Sequence, residues 1–140
     1  NYTSWSSPMK SYLFENQEGC LERAEFIDGK LVHETYGMDG TLRESGNIPD
    51  ELPLVGGFYV SGMYRFAIYG QTNSAGSDEM EVMRIVKYDQ DWNRVSSCSL
   101  YGENTTVPFD AGSLRFAENG DKLYIRTCVR QDSPWSYCSR

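Results

Sequence analysis

Three dipeptides, Asp28-Gly29, Asp39-Gly40 and Asn119-Gly120, punctuate this chain between extended-looking runs. A two-residue type I′ hairpin needs positive φ at both central positions, and Asn or Asp followed by Gly tolerates that best. Three such pairs in one chain predict consecutive antiparallel hairpins. A longer hairpin loop is expected at Asp89-Gln90-Asp91-Trp92-Asn93. The runs between these turns alternate with a period of two. Tyr64, Phe66 and Ile68 share one face of a strand, as do Leu123 and Ile125, with Tyr124 and Arg126 opposite. Val82 to Tyr88 is apolar on both faces apart from Arg84 and Lys87, which predicts a strand between two covered surfaces. The strongest helix candidate, Glu15 to Phe26, is opposed by Gly19 and by its β-rich flanks.

The expected fold is therefore all-β, built from antiparallel hairpins. Ten tyrosines, three tryptophans and six phenylalanines suit pleated surfaces. The net charge of -7 comes without any clustered run of Lys and Arg. A phosphate-binding surface needs such a cluster, so neither nucleic acid nor an anionic membrane is an expected partner. No stretch approaches the roughly 20 apolar residues of a spanning helix. A chain opening on Asn1, without an apolar leader, is expected to be a processed or trimmed product.

Taken in order, the strands suggest an internal repeat. One set runs through 11–14, 21–26, 31–36 and 42–48. A second runs through 57–60, 64–69, 82–88 and 94–100, and a third restarts at 112–116 and continues at 123–127. Corresponding strands lie roughly 50 residues apart, the spacing of four-stranded propeller blades. Similar linkers, Pro49-Asp50-Glu51-Leu52-Pro53 and Val107-Pro108-Phe109-Asp110, mark the junctions. The expectation is one all-β unit over residues 1–140 with approximate subunits 11–49, 54–107 and 108–140. This is an incomplete β-propeller of about two and a half blades, with a β-sandwich as the alternative. Open sheet edges would favour homo-oligomers.

Cys20, Cys98, Cys128 and Cys138 form no CxxC pair, and His33 lies far from all of them, so neither a metal nor a cofactor is expected. Four scattered cysteines suit disulfides in an oxidising compartment. Of three possible pairings, Cys128–Cys138 around Ser133-Pro134-Trp135 is favoured, leaving Cys20–Cys98. Buried free thiols are the alternative.

The string IVKYDQDWNRVSSCSLYGENTTVPFDAGSLRFAENGDKLYIRTC from Ile85 to Cys128, with ELPLVGGFY at Glu51 to Tyr59, resembles a family of secreted or surface proteins of anaerobic Gram-positive bacteria. That family is largely uncharacterised and propeller-like. The resemblance implies a β-propeller-type fold and an extracellular or cell-surface address, and it carries no activity. Relatives continue past the Thr-Cys pair with His-Glu and further blades. Here Thr127-Cys128 is followed by Val129-Arg130, as in a truncated relative.

Candidate chemistry is sparse. His33 sits mid-strand without a nucleophile motif, so a structural or surface role is expected. Asp50, Glu51 and Asp110, near one end of the sheets, are the residues a glycoside hydrolase would use as its carboxylate pair. A solvated or turn-capping role is the plainer expectation. Asp89-x-Asp91-x-Asn93 opens like a calcium loop, but Arg94 and Leu100 replace the required Gly and Glu. Turn-borne or terminal aromatics, chiefly Trp92, Tyr101, Trp135 and Tyr137, could stack on a glycan or anchor a partner, while packing over the ends of the strands is the plainer expectation. Three functions follow as expectations. The first is a non-catalytic extracellular module binding a glycan, peptide or protein. The second is a carbohydrate-active enzyme, and the third is a self-assembling structural unit.

Overall fold

The computed structural model describes residues 9–102, 105–109, 114–131 and 137–139, with side chains as far as residue 127. Every regular element among them is a strand. β1 (Ser11–Glu15), β2 (Leu21–Ile27), β3 (Lys30–Tyr36) and β4 (Leu42–Pro49) form one antiparallel sheet in chain order. β5 (Leu54–Ser61), β6 (Tyr64–Gly70), β7 (Glu81–Tyr88) and β8 (Arg94–Tyr101) form a second in the same order. β9 (Thr105–Val107), β10 (Arg115–Asn119), β11 (Lys122–Gln131) and β12 (Tyr137–Ser139) form the third, with β9 and β10 both on β11. β9 thus belongs to the third sheet, so that sheet begins before Pro108. Residues 21–26, the end of the stretch weighed as a helix, lie in β2.

The second sheet is the middle layer. Alternation sends Phe58, Ala67, Tyr69, Val86 and Tyr88 to one face, where they pack with Ala24, Phe26 and Leu31 of the first sheet. It sends Ile68, Met83, Phe66 and Ile85 to the other face, against Leu114, Phe116 and Ile125 of the third. β7 is consequently covered on both sides, as its sequence predicts. The Gly56-Gly57 step makes room on the third-sheet side. A Cβ on Gly56 would overlap the Phe109 ring, and one on Gly57 would lie 2.7 Å from Leu114 Cδ2. The connection that follows β9 in the third sheet is thereby locked onto the second by an aromatic ring seated on bare backbone.

The outer face of the first sheet is different in kind. Counted back from the matching loops that begin at Gly37 after β3 and at Asp89 after β7, Glu34 corresponds to Val86 and, through the strand register, Arg23 corresponds to Ala67. Val86 and Ala67 are fully buried. Arg23 instead ion-pairs with Glu25 and Glu34, and Tyr36 Oη donates to Glu34 Oε2 at 3.0 Å. A fourth sheet stacked here would have to bury this charged network, which is costly unless each charge keeps a partner. Among the described residues the sheets do not close into a ring or barrel.

The turns obey their chemistry with two corrections. Asp28 and Gly29 both have positive φ, 52° and 74°, as a type I′ hairpin requires. At Asn119-Gly120 the turn is displaced by one residue: Asn119 still pairs with Lys122, and the central residues are Gly120-Asp121. Only Gly120 is left-handed, the pattern of a type II′ turn, which Gly62-Met63 repeats between β5 and β6. Asp39-Gly40 is not a two-residue hairpin either, since its loop spans 37–41.

That longer loop recurs. In Asn16–Cys20, Gly37–Thr41, Asn73–Ser77 and Asp89–Asn93 the fourth residue donates its N–H to the first residue's carbonyl, at 2.9–3.1 Å. The fourth residue is left-handed each time: Gly19 at 80°, Gly40 at 81°, Gly76 at 62°, and Trp92 at 64°. In three of the loops the first side chain closes the turn. Asn16, Asn73 and Asp89 each accept from the fifth residue's N–H through Oδ1, at 3.0, 3.0 and 2.9 Å. Asp89 is thus a turn-former, and these bonds, with that from the Asn93 N–H foremost, hold its carboxyl below the usual range.

Candidate functional site

Two of the places where polar side chains gather in this stack bear on function. One lies between the first and second sheets, the other at the end of the strands where β4 crosses to β5.

Between the sheets, Glu22 and Arg65 are 2% and 1% exposed. Arg65 Nη2 donates to Glu22 Oε2 at 2.5 Å, and Arg65 Nη1 donates to the Met63 carbonyl at 3.1 Å. The guanidinium lies 5.4 Å from the Phe14 ring centre and 5.6 Å from that of Trp92. The Trp92 indole donates to Glu22 Oε1 at 3.3 Å. His33 stacks on Trp92 at 4.6 Å and 11°. Gly46, opposite His33 on β4, makes this possible, because a Cβ there would come within 2.8 Å of the imidazole. Trp92 also stacks on Phe58 at 5.9 Å and 15°. Of the two roles open to a turn-borne aromatic, an exposed platform or a ring packed over the strands, Trp92 takes the second: it is half-buried and joins two sheets.

Burial lowers the His33 pKa; Glu22 and Glu44 oppose that effect, and Arg65 adds to it. The consequence for stability has a definite sign. The unfolded chain binds the His33 proton more readily than the folded chain. His33 therefore contributes stability while neutral, and that contribution is lost as pH falls from its unfolded value, about 6.5, towards the lower folded value. Urea midpoints at pH 7.5 and 5.5 are expected to differ less for His33→Gln than for the native protein. An equal shift in both would remove His33 as the source.

At the β4–β5 end an open cleft of about 400 Å³ is walled by Phe26, Pro53, Leu54, Val55, Pro108 and Phe109. Lys10, Asp28 and Asp50 supply its charged groups. Asp50 Oδ1 is sealed from solvent and has no hydrogen-bond partner. Burial raises the Asp50 carboxyl pKa, with the Lys10 charge opposing. The neighbouring carboxylate has the reverse fate. Glu51 accepts two bonds from Arg94, at 3.0 and 2.9 Å, and one from Arg84 at 3.1 Å, and the Arg94 guanidinium foremost holds it below the usual range. Glu81 is likewise held by Arg84 and Ser99. Asp110, the third carboxylate of the expected set, lies outside the described residues.

The remaining candidates separate widely. Tyr101 is 55% exposed on β8. Trp135 and the Tyr137 side chain lie outside the described residues. Cys20 and Cys98 are free thiols, the first buried and the second exposed, so the expected Cys20–Cys98 bridge is corrected. Cys20 sits beside the first sheet and Cys98 on the outermost strand of the second. Cys128 and Cys138 occupy facing backbone positions on β11 and β12, and their side chains are outside the described residues. Among the described residues no cluster of His, Cys, Asp or Glu has metal-site geometry. Among the described residues no helix is long and apolar enough to cross a membrane.

No family model, curated protein or solved structure matches this chain. What the protein does must therefore be argued from its own side chains. Sequence reasoning singled out Asp50 as a linker carboxylate, and the fold turns it towards an apolar-walled cleft. The Glu22–Arg65–Trp92 cluster escaped it, because Glu22 and Arg65 come from strands of different sheets and look like ordinary charged strand residues. The one available signal was the phase of β6: Arg65 falls on the same face as Ala67 and Tyr69.

Proposed function

We propose that this chain is a non-catalytic binding module of incomplete-propeller type, which receives a basic side chain of a peptide or protein partner in the Asp50 cleft. One observation carries the reading: the half-buried Asp50 carboxyl lines a cleft with aliphatic, proline and aromatic walls, and its sealed Oδ1 has no hydrogen-bond partner. A carboxylate with one oxygen buried and unpartnered is poorly stabilised, and an ammonium or guanidinium brought to that carboxyl from the cleft would offset the cost. The apolar walls suit the methylene stem of Lys or Arg. A sugar would need several polar partners around its ring, and this lining offers few. The chain's net charge of -7 favours a cationic partner. The binding reading is preferred to glycoside hydrolysis by the neighbouring pair Asp50 and Glu51, because that chemistry needs both carboxyl groups available. Glu51 is already committed to Arg94 and Arg84. The extracellular or surface address belongs to the same proposal and rests on the sequence resemblance.

A peptide array rich in Lys and Arg, followed by calorimetry on the best ligand, tests the reading. Asp50→Asn is expected to weaken binding about 10- to 100-fold, as loss of a charge-assisted bond implies. Binding should also fade on acidification sooner than an ordinary carboxylate would dictate, since burial raises the Asp50 pKa. Affinity unchanged in Asp50→Asn would overturn the assignment.

A further inference from the structure

β4 and β8 are the outer edge strands of the first and second sheets, and they are guarded very differently. β4 carries Arg43, Glu44 and Pro49, the kinds of residue that discourage strand addition. β8 carries no charge, proline or glycine from Val95 to Tyr101. Within it Val95, Leu100 and Tyr101 are 51%, 46% and 55% exposed. An uncharged edge of this length is a template for another strand.

We propose that β8 pairs antiparallel with β8 of a second copy of this chain, about a twofold axis at Cys98, joining two four-stranded sheets into one. The register with β7 selects this axis. Shifts occur between Glu81 and Met83 and between Lys87 and Tyr88, and between them Ser96 to Leu100 pairs regularly. That regular stretch is symmetric about Cys98. Facing residues of an antiparallel pair lie on the same side of the sheet, so a twofold axis must pass through a residue position. Centred on Cys98, the pairing sets Ser96 against Leu100 of the other copy and Ser97 against Ser99, and brings Tyr101 up to the Val95 bulge just beyond the regular stretch. No like charges meet, and the exposed apolar pair Val95 and Tyr101 is covered twice. Centring on Ser97 would instead set Arg94 against Leu100. A strand that pairs with itself without opposing any like charges meets the self-complementarity an isologous interface needs, and this favours a second copy over an unrelated extended segment.

Sedimentation velocity over a concentration series, with a short bismaleimide and peptide mapping, tests this. The expected result is a dimer whose cross-linked peptides join Cys98 to Cys98, the two backbones lying one strand spacing, about 4.8 Å, apart. Ser97→Lys with Ser99→Lys sets lysine against lysine across the axis and is expected to leave a monomer with unchanged circular dichroism. A strict monomer at the highest concentration overturns the proposal. A dimer that persists in the double variant, or cross-links that never include Cys98, overturns it equally. The cross-link map on the native protein stands even if the double variant fails to fold. Neither readout depends on the Asp50 cleft.

Discussion

Arg65→Ala is expected to destabilise the fold by about 3–5 kcal/mol, the usual cost of leaving one member of a buried ion pair behind. The residue left is Glu22, 2% exposed, with the Trp92 indole as its remaining donor at 3.3 Å. The substitution also removes a planar cation lying near the Phe14 and Trp92 rings. Urea denaturation followed by far-ultraviolet circular dichroism measures the loss. The complementary expectation is sharper. Replacing both charges, as Glu22→Met with Arg65→Met, should restore most of the stability or exceed the native value, because two desolvation penalties vanish together. Arg65 Nε has no partner even in the native fold, which adds to the gain. A double variant no more stable than Arg65→Ala would show that the pair is worth more than its desolvation cost.

Trp92→Ala is expected to cost about 3 kcal/mol, the lower end for removing a large core aromatic, since the ring is half-buried. The informative comparison is with Trp92→Gly. At an ordinary strand or turn position glycine would be the worse substitution by roughly 0.5–1 kcal/mol. Here Trp92 holds a φ of 64° at the place where the sister loops carry Gly19, Gly40 and Gly76. A left-handed residue with a Cβ is strained by about 1–2 kcal/mol, and glycine is free of that strain. Trp92→Gly should therefore be more stable than Trp92→Ala by about 1 kcal/mol, readable as a shift in urea midpoint. The reverse order would mean that the loop relaxes out of the left-handed region once the indole is gone. Backbone strain in a bulky residue persists when surrounding contacts over-determine it. Here those contacts are His33, Phe58, Tyr88 and the Glu22 carboxylate.

These two residues also show where sequence reasoning succeeds and where it stops. The strands and their four-membered grouping were legible because they rest on local chemistry: two-residue alternation, and turn residues that accept positive φ. The central position of β7 was legible for the same reason, since Val82 to Tyr88 is apolar on both faces. Asn119-Gly120 marked its turn but not the register, because Asn and Gly fit more than one hairpin type. Trp92 was legible as a loop residue, with packing over the strand ends the plainer expectation, but the partners of its ring were not legible. Loop position says nothing about which neighbouring sheet a side chain meets.

Composition, turn chemistry and period-two patterning by themselves determined an all-β chain of antiparallel four-stranded sheets, because those signals act over a few bonds or one strand. Only the tertiary structure decided which charges are buried and paired. Glu22 and Arg65 meet because two sheets stack face to face, Glu51 is taken by Arg94 and Arg84, and Asp50 is left facing a cleft without a partner. Such pairings join residues far apart in the chain, and their energies depend on how completely each group leaves water. No local pattern encodes that quantity.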